Sequence, residues 1–195
     1  MHGLINRALQ SFVEVTYGPR IWAEVVSQAD LEFDEFQSML MYPDDLTVRC
    51  FEAATNILHR PPSVFLEDLG TFVVTHEPFN PLRRLLRFGG EDFAEFLHSL
   101  EELGDRGRLV MPDLDMPDIR VHQEDGQTYE VRARWKMLGA GPMLLGALRA
   151  MADDYGALAF CSLAGVNEGW ESLKVTLHLD DHSEGRAFSL GGVSA

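Results

Sequence analysis

The amino-acid sequence predicts an α+β protein, and two observations carry that reading. Apolar residues recur at helical spacing over roughly the first 110 positions, enough for about seven helices, and strand-like alternation then takes over around Asp125-Gly126. The element order becomes helices first, then β-β-α-β-β, with no internal repeat and no low-complexity linker. A third observation marks the centre of the chain. In the stretch 91–121, Phe93, Phe96, Leu97, Leu100 and Leu103 fall on one helical stripe, and at about 100° per residue position 104 lands near the middle of it. Gly104 brings no side chain there, and a crossing rich in Met and Pro (Met111, Pro112, Met116, Pro117) comes next.

Leu4, Ile5, Ala8, Leu9, Phe12 and Val13 space a first helix, ended by Tyr17-Gly18-Pro19, and Ile21, Trp22, Val25 and Val26 space a second. Phe33 and Phe36 predict a short third helix capped by Asp34, which Tyr42-Pro43-Asp44-Asp45 breaks while capping the next. That helix carries Val48, Phe51, Ala54 and Leu58 on one face. Pro61-Pro62-Ser63 starts another over 64–74, with Phe65, Leu69, Phe72 and Val73 inward, and a short basic helix at 80–87 ends at Gly89-Gly90. After the central helix, which runs into Gly104, strands are predicted at 118–123 and 128–134, a helix at 141–155, and strands at 158–163 and 172–179 joined through Asn167-Glu168-Gly169. One domain spans 1–183, with a helical lobe at about 1–65 and an α/β lobe at about 66–183; residues 184–195 form a flexible Gly- and Ser-rich tail.

Thirty-one acidic residues against sixteen basic ones give a net charge of −15, which excludes a general nucleic-acid binder and suits a solvated acidic surface or a basic protein partner. Cys50 and Cys161 are too few for a disulfide framework or a four-thiolate zinc site, which suits a reducing interior. The opening lacks a secretory or transit pattern. Gly139, Gly141, Pro142 and Arg149 break the longest apolar run, 137–152, so it cannot span a bilayer. The expected location is the cytoplasm.

Several motifs in order, Met1-His2-Gly3-Leu4-Ile5-Asn6, the Tyr42-Pro43-Asp44-Asp45 turn, Phe96-Leu97 with Leu100 and Leu103, Pro112 through Pro117 to Arg120-Val121, and Gly139, Pro142 and Gly146, together resemble the heme-nitric oxide/oxygen-binding (H-NOX) domain. That family includes the sensor domain of soluble guanylate cyclase and stand-alone bacterial gas sensors. The resemblance covers nearly the whole chain and implies an H-NOX-like fold: a helical N-terminal lobe over a lobe with a four-stranded antiparallel sheet, with heme between them. It also implies a heme-ligating histidine after Leu103 and a Tyr-x-Ser-x-Arg motif for the heme propionates. This chain has Gly104 at the first place and Ala133, Trp135 and Met137 at the second. Shifting the second register by one residue, to Arg132, Arg134 and Lys136 or to Arg134, Lys136 and Leu138, does not restore the motif.

A substitute ligand to iron would have to be an imidazole, a thiolate or a thioether. His98 lies six residues before Gly104, about 240° around the helix, and faces away from the stripe. Met111, Met116, Met137 and Met143 offer thioethers, although methionine in such segments is ordinarily core filler. His178 and His182 flank Asp180-Asp181 but stand roughly 13 Å apart along a strand, too far for one ion. His2, His59, His76 and His122 have no partner spacing, so no metal site is expected.

The lost histidine leaves two outcomes: refilling of the heme space by Trp135 and Met137, or a persisting pocket for another apolar ligand. By the resemblance, Ile5, Leu9, Val73, Glu77, Leu100, Pro117, Met143 and Leu144 line that space, with plain core as the alternative for the apolar ones. Glu77 would need a partner such as Arg132 or Arg134, or would reach solvent beside His76. The expected function is a non-catalytic sensory or regulatory module without histidine-ligated heme, acting on a histidine kinase or cyclic-nucleotide enzyme, with no nucleic-acid or membrane partner. The alternative is a heme-based nitric oxide sensor with non-standard ligation. No Ser-His-Asp spacing or paired-carboxylate motif supports an enzyme, and Gly139-Ala140-Gly141 lacks the rest of a phosphate loop.

Overall fold

The structure, a computed structural model, describes residues 1–136 and 139–182. Met137 and the tail at 184–195 lie outside the described residues. Helices α1 (Gly3–Tyr17), α2 (Pro19–Gln28) and α3 (Asp44–Ile57) open the chain, and α4 (Pro62–Thr75), α5 (Asn80–Arg87), α6 (Phe93–Ser99) and α7 (Leu103–Val110) come after them. Strands β1 (Asp118–Gln123) and β2 (Thr128–Arg134) form a hairpin, then come α8 (Ala140–Tyr155), β3 (Ala157–Asn167) and β4 (Trp170–His182). The sheet is antiparallel throughout, in the order β1-β2-β4-β3. This is the α+β architecture expected from the sequence, a helical N-terminal lobe on a lobe built from a four-stranded antiparallel sheet and helices. The expected lobe boundary at 65 falls inside α4, a continuous helix.

Local chemistry explains the turns. Asp125 Oδ1 accepts from the amides of Gln127 (2.9 Å) and Thr128 (2.7 Å) and closes the first hairpin. In the second, Glu168 and Gly169 both take positive φ, 50° and 78°, the conformation a tight hairpin turn requires. Before α8, Gly139 adopts φ 98°, and a Cβ there would run into the Leu66 side chain. The Glu171 carboxylate from β4 accepts from the amides of Gly139 and Gly141, each at 3.0 Å, so these glycines begin a carboxylate-capped helix.

Three sequence expectations are corrected. The third helix around Phe33 and Phe36 does not form, because α1 and α2 capture its backbone: Trp22 Nε1 donates to the Asp34 carbonyl at 2.8 Å, and Gln10 Oε1 accepts from the Phe36 amide at 3.0 Å. Phe36 is buried instead within a ring cluster with Trp22, Phe33 and Tyr42. On α3 Ala54 is buried and Phe51 and Leu58 pack against the core as expected, but Val48 is 40% exposed, and Thr47, Cys50 and Ala53 complete the inward face. A buried hydrogen bond from Thr47 Oγ1 to Asn6 Oδ1 (2.6 Å) fixes that rotation.

The central helix is the third correction. It does not end at Gly104 but passes through a 3-10 turn at Leu100–Glu102 into α7. The Leu103 amide donates to Leu100 O, and the Ser99 carbonyl receives Arg106 Nη2 at 2.8 Å. A 3-10 turn advances about 120° per residue rather than 100°, so its three residues rotate the start of α7 by about 60°. Position 104 leaves the apolar stripe. It is half-buried, and a Cβ added to it would lie 3.6 Å from Arg108 Nη1, with no core side chain among its nearest neighbours.

Candidate functional site

A cavity of about 230 Å³ lies between the helical lobe and the sheet. Its walls come from α1 (Leu4, Ile5, Ala8, Leu9), α4 (Leu66, Leu69, Val73), the central helix (Phe96, Leu100, Leu103) and α8 (Met143, Leu144, Ala147). The crossing adds Met116 and Pro117, and the sheet adds Ile119 and Ala133, with Trp135 just beyond β2. Each element presents an apolar stripe here because the same stripes build the surrounding core.

Seven residues singled out in the sequence, Ile5, Leu9, Val73, Leu100, Pro117, Met143 and Leu144, stand together in this wall, as do Ala133 and Trp135. Glu77 does not. It opens a 3-10 turn after α4 has ended, its residue is exposed, and it belongs to solvent rather than to the cavity. Nor do the proposed partners face it, since Arg134 pairs with Asp118 (3.1 Å), and both Arg132 and Arg134 lie over the Trp170 ring. Gly104 lines a separate, polar cleft of about 200 Å³ with Glu101, Arg108, Arg120 and Trp170. Pro117 and Ile119 border both spaces.

The polar groups of the cavity are few. Thr47 is committed to Asn6. Asp115 Oδ2 is buried, accepts no hydrogen bond, and lies 3.5 Å from Lys136 Nζ at the rim. Trp135 Nε1 is buried and has no hydrogen-bond partner among the described residues. Asp115 and the indole N–H went unnoticed in the sequence, where an acid between Met111 and Pro117 signals only a turn. Among the described residues the wall holds no histidine, cysteine, lysine or arginine; its thioethers are Met116, Met143 and Met151. His98 is exposed, with its ring against Tyr129, and His76 stacks on Phe72. No cluster of three or more His, Cys, Asp or Glu able to hold a metal occurs among the described residues, and no described helix is long and apolar enough to cross a membrane.

The model of the Haem-NO-binding family matches residues 2–158. The chain belongs to that family. Its domains are non-catalytic sensor modules, and this H-NOX-like member is one of them. The fold is that of the Fe(II) unliganded H-NOX protein from K. algicida (TM-score 0.78, 18% identity, covering 97% of this chain and 100% of that one). The Fe(II)NO state of an H-NOX protein from S. oneidensis gives TM-score 0.78 at 14% identity, covering 91% and 99%. Among curated proteins, Soluble guanylate cyclase 89Da of Drosophila melanogaster is 22% identical over 155 residues, 80% of this chain and 23% of the relative. Soluble guanylate cyclase gcy-31 of Caenorhabditis elegans is 24% identical over 157 residues, 79% and 22%. The chain thus spans about a quarter of the length of these relatives.

Proposed function

We propose that this H-NOX-like module senses and regulates without histidine-ligated heme, and acts by contact with a signalling enzyme. One observation carries the reading: among the described residues the inter-lobe cavity has an apolar wall that offers neither an imidazole for iron nor a cation for propionates. The residues present do not fit the family cofactor. Gly104 and Ala133 have no ligating or charged side chain, Trp135 places an indole where the resemblance asks for a propionate anchor, and Asp115, the one carboxylate in the wall among the described residues, would repel a propionate. A cavity of about 230 Å³ also falls below the ~300 Å³ at which drug-sized ligand sites begin.

The competing reading is a gas sensor with thioether-held heme, supported by Met116, Met143 and Met151 in the wall. It is disfavoured by the same lack of a cation. For the partner, a histidine kinase or a cyclic-nucleotide enzyme suits the guanylate cyclase relatives, and the charge of −15 suits a basic docking face. Reconstitution with such an enzyme tests the role. Its autophosphorylation or cyclic-nucleotide output is expected to change when this protein is added and to be indifferent to nitric oxide; a response that appears only with nitric oxide would favour the heme sensor.

A further inference from the structure

We propose that the inter-lobe cavity takes a small neutral molecule, apolar along its length and carrying one hydrogen-bond acceptor, such as a ketone carbonyl, for the Trp135 N–H. The inference rests on the heme-free reading and gives that cavity a ligand class. Size comes first. An apolar cavity of about 150 Å³ accommodates benzene, so one of about 230 Å³ suits on the order of ten non-hydrogen atoms.

Polarity sets the rest of the class. The wall is built from Ile5, Leu9, Val73, Leu100 and Leu144 and rewards an apolar body. Against that background, Trp135 Nε1 is a buried donor with no partner among the described residues, and an orphaned donor is costly until an acceptor reaches it. The Asp115 carboxylate in the same wall disfavours an anion, and the nearby cation, Lys136 Nζ, is already engaged with it at 3.5 Å. A fatty acid is therefore excluded and a neutral ketone, ester or lactone is admitted.

The test uses 2-nonanone, n-decane and decanoate as probes, with thermal unfolding followed by circular dichroism. With 2-nonanone at about five times its Kd, Tm is expected to rise by about 2–4 °C. Decanoate is expected to have no effect. Trp135→Phe, which keeps an aromatic ring but removes the donor, is expected to bind the ketone about fivefold more weakly and to leave n-decane binding unchanged. Ala133→Leu, which fills the space, is expected to abolish both responses. Equal stabilisation by ketone and alkane in the parent, or tighter binding of decanoate, would overturn the ligand class. No response to either neutral probe, in protein that shows no heme band with hemin, would overturn the cavity proposal and leave the heme-free reading intact. A hemin-dependent Soret band would overturn the heme-free reading itself.

Discussion

Gly70 of α4 lies against the Met143 carbonyl of α8, so close that a Cβ on Gly70 would overlap that oxygen. The contact is reciprocal: Gly146 of α8 meets the Glu67 carbonyl of α4 in the same way. The two helices therefore cross backbone to backbone at one wall of the cavity. Gly70→Ala is expected to destabilise the fold by about 1–3 kcal/mol or more through overpacking, visible as a lower urea midpoint at unchanged slope. A neutral Gly70→Ala would mean that the helices part easily.

Arg83 on α5 donates to Asp154 of α8 from both Nε (2.9 Å) and Nη2 (2.5 Å), and the Asp154 side chain is only 4% exposed. Breaking such a pair leaves a buried carboxylate short of its partner. Arg87, 3.7 Å from the other oxygen, compensates in part. Arg83→Met is expected to cost about 3 kcal/mol, and the double variant with Asp154→Leu is expected to recover much of it; a double-mutant cycle in urea checks both.

Burial pushes the thiols of Cys50 and Cys161 up from 9.0 to about 11. The folded value is raised, so the stability these thiols contribute is fully present below pH 9 and is lost as pH rises through about 11. Chemical denaturation between pH 8 and pH 11 is expected to show stability falling through the upper half of that range, and a Cys50→Ala, Cys161→Ala variant to show a shallower fall. At pH 8 the native thiols are expected to resist a thiol reagent that labels both after unfolding.

Gly104→His places its new side chain beside the Arg108 guanidinium in the polar cleft, not in the apolar cavity. Hemin added to this variant is expected to give no band of an imidazole-ligated heme. Appearance of one would show that the 3-10 turn at Leu100–Glu102 relaxes to a regular helix and returns position 104 to the stripe.

Much of the architecture was legible in the sequence, because the strands at 118–123 and 128–134 alternate cleanly and the Asp125 turn between them is local chemistry. What escaped depends on contacts distant in the chain. Gln10 and Trp22 unmake the helix that Phe33 and Phe36 suggest, and Arg106 at the Ser99 carbonyl turns Gly104 out of the core. The apolar wall residues share stripes with the core, so periodicity placed them inward without separating cavity from packing. Glu77 takes the solvent-facing alternative that its sequence left open, because α4 ends at Thr75 and a 3-10 turn carries it away from the cavity. Trp135 was noticed for its bulk, whereas its unpartnered N–H emerges only from the surrounding geometry.

The most direct measurement is the absorption spectrum of the purified protein from about 350 to 700 nm, before and after hemin and then nitric oxide. A heme-free module is expected to show no Soret band as purified, only the broad absorption of free hemin after its addition, and no change with nitric oxide. A sharp Soret band that shifts with nitric oxide would contradict the proposed heme-free reading and turn attention to Met116, Met143 and Met151 as the source of the ligand.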